Sequence, residues 1–441
     1  MARPNVILIL ADGHRGDCAG FAGNPDVRTP NLDALAAHGL VFSQAICQSP
    51  LSGPSRATLM TGQYPAAHGV RDNRALLPKT APALPGLLGG VGYHTACVGK
   101  MGLVPPRARY GFDVMRLAEE HDPGRNEDDY HKWLQKRAEK EGVEADSAVE
   151  ANWDSFGAAP SPLPERFHST TWIGDQAVRF IQRAREPFFL WVGFTKPHYP
   201  FDPPANWDQL YDPDALTVPP GWRCPIPETD AGQQRPLDFR HMAEPVFRRV
   251  LSRYYALISQ IDKQIGRILA TLTSRAHTNN VIVYAADHGD YMGQHGLVLK
   301  NGQSYDSVLR VPLVIAGVRG QRRGESDPAL AELTDIPPTV LDAAGIEIPA
   351  QVQGRRLTSQ LKRSGVPLRR AAFAEGPQER RVVRTRRWKL IQSLEKDFNA
   401  LYDLRGDPHE FNNLYGQSEA ANTQAKMKKA LDAILARQGT A

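Results

Sequence analysis

Residues 5–12 read NVILILAD. The six apolar residues from Val6 to Ala11 make a run of strand length, and the absence of alternation marks a strand covered on both faces, as in a mostly parallel sheet. Asp12 closes the run. The same pattern recurs at His94–Val98, Phe188–Phe194 (FFLWVGF), Val281–Ala286 (VIVYAA) and Val311–Ala316 (VPLVIA). Helical stretches lie between these runs: 30–37 behind a Thr29 N-cap, 172–184 behind Thr170 and Thr171, and a long one over 245–272. The last carries Val246, Val250, Tyr254, Ile258, Ile261, Ile265, Ile268 and Leu272 at helical spacing. Alternation of buried strand and amphipathic helix predicts a doubly wound α/β sandwich built on a large, mostly parallel sheet.

The wider chain agrees with that class. It has 441 residues, 41% hydrophobic and 23% charged, which excludes a disordered or fibrous protein. Its 37 glycines and 35 prolines point to long ordered loops. Two segments carry much of that excess, about 116–167 and about 200–240, and both read as irregular insertions. From 357 onward the pattern changes to short strands around Val382–Ile391 and an amphipathic helix over 418–437. The chain therefore divides into an α/β domain, 1–356, and a smaller C-terminal α+β subdomain, 357–441. Cys18, Cys47, Cys97 and Cys224 lie far apart with no CxxC pair, so neither a zinc cluster nor a disulfide framework is implied.

The formal net charge is +5, part of it in the arginine-rich run from Arg369 to Arg387. That run reads as a solvated strand pair or as the rim of an anion site; a nucleic-acid arm is disfavoured because no reader motif accompanies it. The first apolar run is too short for a signal-peptide core or a membrane span. No membrane partner is expected, and the chain as written reads as cytoplasmic, or as periplasmic or secreted if a leader precedes it.

In an open α/β sheet, ligands gather beyond the carboxyl ends of the strands. Asp12 follows the first apolar run, and Asp287 and His288 follow VIVYAA, so two carboxylates and an imidazole can converge at one edge. Hard oxygen donors with one histidine suit a divalent cation. Each aspartate alone is equally well a turn or cap residue. The sharpest local signal is SGPSRATLMTG, residues 52–62. Pro54 suits a first helical turn, which places Ser52 where free backbone N–H groups favour an anion, with Arg56 one turn further on. By itself SGPSR is also an ordinary N-cap.

These blocks, taken together and in order, resemble the type I, formylglycine-dependent sulfatases of the alkaline phosphatase-like superfamily. The resemblance runs from Asn5 to about Leu414, through NVILILADGHRGD, SGPSRATLMTGQYPAAHGV, GYHTACVGKMG, FTKPHYPFDPP, ADHGDYMGQHGLVLKNGQSYDSVLRVPLVI, LTDIPPTVLDAAGI, WKLI and LYDLRGDPHEFNNL. It implies a sulfuric ester hydrolase acting on a sulfated small molecule or glycan. Ser52 would be oxidised to formylglycine, whose hydrated form is the nucleophile, by a radical-type sulfatase-maturating enzyme. Asp12, Asp287, His288 and modified Ser52 would hold one divalent cation, calcium first, with manganese or magnesium as alternatives. Arg56 would orient the formylglycine, Lys100 and Lys300 would clamp sulfate oxygens, His198 would protonate the leaving alcohol, and Asn73 would contact the ester. Lys196 ranks below Lys300 as a sulfate ligand. His68, Asp290 and His295 read as supporting residues. A homo-oligomer is compatible with all of this.

Two positions depart from the family pattern. Gly13 stands where many members carry a second aspartate, with His14 a candidate to fill part of that place. Gly102 stands where the family has a histidine, which leaves turnover in question. The alternatives are a phosphonate monoester or phosphodiester hydrolase with the same nucleophile and metal, and a sulfated-ligand binding protein without turnover.

Overall fold

The first apolar run forms β1 (Asn5–Asp12), every residue of it buried. Its side chains alternate between two cores: Val6, Leu8 and Leu10 pack with Leu59 and Met60, while Ile7, Ile9 and Ala11 pack with Ile173, Ile261 and Ile265. That two-sided cover is what an unalternating apolar run requires. The computed structural model describes residues 2–120, 124–143, 156–224, 242–300, 304–376, 379–394 and 398–438. Parts of the two expected insertions, 121–123 and 144–155 of the first and 225–240 of the second, lie outside the described residues.

Beyond β1, the main sheet contains β2 (Gly39–Ile46), β3 (His94–Gly99), β4 (Val114–Leu117), β5 (Phe188–Pro197), β6 (Asn280–Ala286), β7 (Arg310–Val311), β8 (Leu313–Ala316) and β9 (Glu325–Glu332). The order is β4-β3-β5-β1-β6-β8-β2-β7, with β9 on β2. Pairings among β4, β3, β5, β1 and β6 are all parallel. β8 runs antiparallel to both β6 and β2, so the sheet is mixed. The run VPLVIA, expected as one strand, is two short ones on either side of Pro312, which has no N–H to give to a ladder. β9 (ESDPALAE) carries little apolar signal; its register is supplied by parallel pairing with β2.

The helices flank the sheet. Pro30–His38 follows Thr29, whose hydroxyl bonds Asp33 and Gly20 N rather than capping the helix end. The helix Ser169–Arg183 starts earlier than expected and is capped by His168, not by Thr170 or Thr171. Glu244–Ser274 begins at a proline-bearing first turn and buries one apolar face over 31 residues. The 116–167 insertion is less irregular than its composition suggests, because it holds the helix Asp129–Glu141, N-capped by Asp128. Among the described residues no helix is long and apolar enough to cross a membrane.

The C-terminal strands β10 (Ala372–Glu375), β11 (Arg380–Arg384), β12 (Trp388–Ser393) and β13 (Asn399–Asp403) form a separate antiparallel sheet. The helix Ala421–Gln438 covers it, placing Met427, Leu431 and Leu435 against Val383, Leu390 and Leu401. The arginine-rich run is not wholly solvated. Arg384 and Lys389 are buried on Asp306 at 2.7 and 3.0 Å, and Arg369 is buried on Asp335 at 2.5 Å. These pairs fasten the small sheet to the large one.

Candidate active site

β1 and β6 are parallel neighbours in register, with Leu10 beside Ala285 and Ala11 beside Ala286. The next residues of both strands, Asp12 and Asp287, therefore leave the sheet side by side, and the backbone N–H of Asp287 donates to the Ala11 carbonyl at 3.2 Å. β5 flanks β1 on the other side and ends at Lys196 and Pro197, which brings His198 to the same edge. Ligand atoms of Asp12, Asp287 and His288 lie within 4.8 Å of one another, all three residues buried.

The helix Ser52–Thr61 is buried along its whole length, and its N-terminus points at this cluster. Ser52 Oγ stands 3.0 Å from His288 Nε2 and 3.3 and 3.4 Å from the two oxygens of Asp12. One turn in, Arg56 is fully buried. Its Nε donates to Asp287 at 2.7 Å, one Nη to Asp12 at 3.3 Å, and the other Nη to the Lys100 carbonyl at 2.7 Å. The guanidinium thus locks both carboxylates and the Lys100 backbone in one arrangement.

Two lysines complete the centre. Lys300 Nζ is 2.6 Å from His288 Nε2 and 3.3 Å from Ser52 Oγ. Lys100 Nζ is 2.5 Å from Asp12 and 2.5 Å from Glu120. Burial pushes the Asp12 carboxyl up, but Lys100, His198 and Lys300 together hold it well below the usual carboxylate range. Burial, with Lys300 adding to it, lowers the His288 imidazole, and its Nδ1 donates to the Gly289 carbonyl at 2.7 Å. His288 is therefore neutral with the Nε2 lone pair turned inward, the state in which imidazole binds a metal. Two buried carboxylates and a neutral imidazole fit a hard divalent cation, and Asp287 is held in place by the N–H groups of Gly13 and His288.

A cavity of about 530 Å³ opens onto Ser52, Lys100, His198 and Lys300. Asn73 lies on its wall, where its Oδ1 accepts from Gly53 N at 2.9 Å and leaves the amide N–H groups for a ligand. His198 reaches the same cavity, with its Nδ1 2.8 Å from the Tyr199 carbonyl. Asp12, Ser52, Arg56, Asn73, Lys100, His198, Asp287, His288 and Lys300 come together here.

Other candidates sit apart. Lys196 is tied to Asp202 at 2.5 Å and to the Pro200 carbonyl. His14 does not fill the place beside Gly13, because both its ring nitrogens are occupied, by the Tyr284 hydroxyl at 2.6 Å and the Cys18 carbonyl at 2.7 Å. His68 bonds Thr58 and Val70 N, Asp290 accepts from Met292 N and Leu299 N, and His295 stacks on Tyr305. Gly102 has φ +68, and a Cβ there would lie 2.6 Å from Arg56 Cδ, so a side chain would meet both a left-handed backbone and the Arg56 stem.

Sequence reasoning missed Glu119 and Glu120, which follow β4. Glu119 accepts the N–H groups of Met101 and Gly102, and burial pushes its carboxyl up to about 7. Glu120 contacts Lys100 and stands 3.4 Å from His198 Nδ1. The available signal was a carboxylate pair immediately after a strand, hidden because the segment was read as an insertion.

A buried serine, two carboxylates and an imidazole at the carboxyl edge of a mixed α/β sheet define an alkaline phosphatase-like hydrolase. The sulfatase family profile matches residues 4–346, and that of the N-sulphoglucosamine sulphohydrolase C-terminal region matches 293–437. The chain belongs to the sulfatase family and is a sulfuric ester hydrolase. It is 31% identical to an arylsulfatase of Clostridium perfringens, over 97% of this chain and 94% of that one. It is 26% identical to an N-acetylglucosamine-6-O-sulfatase of Bacteroides thetaiotaomicron, over 98% and 86%. The crystal structure of a phosphonate monoester hydrolase of Agrobacterium radiobacter superposes with a TM-score of 0.86 at 25% identity, covering 99% of this chain and 96% of that one.

Proposed function

We propose that the chain releases inorganic sulfate from a sulfated sugar or polysaccharide, using a formylglycine made from Ser52 and one divalent cation, calcium first. The catalytic unit is residues 1–356, with 357–441 a packed subdomain. The observation that carries the reading is the placement of Ser52 Oγ, at the N-terminus of a buried helix and within 3.0–3.4 Å of His288, Asp12 and Lys300. A hydrated formylglycine at this position supplies the nucleophilic hydroxyl, and a cation held by Asp12, Asp287 and His288 supplies positive charge beside it.

The remaining work falls to this chain's own side chains. Lys300 and Lys100 direct ammonium groups at the anionic head of the ester, where charge builds as the S–O bond breaks. His198 faces the leaving alcohol oxygen and gives it a proton. Arg56 keeps Asp12 and Asp287 from moving, and Asn73 donates to the ester from the cavity wall. A cavity of this size takes one or two sugar rings. The likeness to a glucosamine sulfatase supports a sugar substrate.

The test has two parts. Intact mass of protein from its native host is expected to show the loss of two hydrogens at Ser52, and the modified protein is expected to release sulfate from at least one member of a sulfated glycan panel. Unchanged mass together with no sulfate release would sink the reading. Hydrolysis of phosphonate monoesters or phosphodiesters is the second reading, favoured by the superposition on a phosphonate monoester hydrolase and by Gly13 in place of a second carboxylate. The ratio of aryl sulfate to aryl phosphonate turnover separates the two.

A further inference from the structure

The Lys100 ammonium sits between two carboxylates, 2.5 Å from Asp12 and 2.5 Å from Glu120. Asp12 has an evident purpose, since it also faces Ser52, His288 and Arg56. Glu120 does not. It lines the same cavity as Ser52, Lys100, His198 and Lys300, its side chain is about nine-tenths buried, and its second oxygen is directed at His198. A negative charge is thus fixed among the cations that face the ester, where it weakens anion binding.

The cost of that charge grows with the charge of the ligand. A sulfate ester carries one negative charge and a phosphate monoester of nearly the same shape carries two. Lys100, Lys300 and a divalent cation by themselves favour the second; a fixed carboxylate reduces that advantage. We propose that Glu120 is a specificity-determining residue that disfavours dianionic tetrahedral ligands and so narrows their advantage over monoanionic esters. The inference rests on the ester-hydrolase reading above. At a separation of about 6 Å and an effective dielectric constant of about 40, one further negative charge facing a carboxylate lowers affinity about tenfold.

Benzenesulfonate and phenylphosphonate test this directly, being matched in shape, not hydrolysable, and one and two charges negative at mildly alkaline pH. Calorimetric titration of each into the full chain saturated with calcium gives the ratio of the two affinities. In Glu120→Gln the ratio is expected to move about tenfold toward the phosphonate, and in Glu120→Asp, which keeps the charge, to stay near wild type. A residue that merely positions Lys100 or His198 would change both affinities in parallel. A ratio unchanged in Glu120→Gln, or one that moves as far in Glu120→Asp as in Glu120→Gln, overturns the inference. If neither ligand binds wild type, the proposed placement of the ester's anionic head beside Lys100 and Lys300 falls and takes this inference with it.

Discussion

Arg56→Met isolates what the buried guanidinium does. Methionine keeps much of the apolar stem and removes the contacts to Asp287 at 2.7 Å, Asp12 at 3.3 Å and the Lys100 carbonyl at 2.7 Å. Both carboxylates are shut off from water, so Asp287 loses its guanidinium partner without gaining solvent, while Asp12 keeps Lys100 at 2.5 Å. Removing one partner of a buried pair costs about 3–5 kcal/mol, and hydrogen bonds to charged groups at about 1.5–3 kcal/mol each give the same order. We expect a loss of that size in urea unfolding of calcium-free protein. Saturating calcium is expected to recover part of it, because a cation between Asp12 and Asp287 supplies the missing charge. Arg56→Lys is expected to recover less than calcium does, since one ammonium cannot span three acceptors. A loss below about 1 kcal/mol without calcium would refute the argument that Arg56 neutralises this pair.

Gly102→His restores the family's histidine in sequence, but it forces a left-handed residue and a Cβ against Arg56; a loss of about 1–2 kcal/mol or more and lower sulfate release are expected, and higher turnover would contradict the geometry. Asp306→Asn leaves Arg384 and Lys389 without their shared carboxylate, and is expected to cost about 3 kcal/mol in urea unfolding, with early proteolytic release of the C-terminal sheet. Burial lowers His68, His168 and His295 from the usual 6.5 to about 4, 3 and 4, so the unfolded chain binds protons first. Stability is then full above pH 6.5 and falls on acidification towards pH 4, by about 1.4 kcal/mol per pH unit for each histidine. Unfolding titrations at stepped pH check this, and a flat profile from 6.5 to 4.5 would contradict it.

Much of the fold was legible because buried parallel strands announce themselves as unbroken apolar runs, as in Val6–Ala11 and Val281–Ala286. β9 was not, since a strand with Glu325, Ser326, Asp327 and Pro328 takes its conformation from β2 rather than from its own residues. The arginines of 369–387 were ambiguous for a related reason. Their partners Asp306 and Asp335 lie far away in the chain, and charge pairing across that distance leaves no local pattern.

The candidate site divides in the same way. Strand-end aspartates and a serine at a helix start are local features, set by covalent neighbours and backbone geometry, so the sequence alone pointed to the kind of chemistry and to the residues proposed to perform it. Which cations those residues meet is a sum over segments that touch only when folded. Packing alone decided that Lys100 shares Asp12 with Arg56, that His14 turns away to Tyr284, and that a side chain at Gly102 would meet the Arg56 stem. It also placed Glu120, from the end of an edge strand, among the charges facing the ester, because electrostatic interaction follows distance in space and not position in the chain.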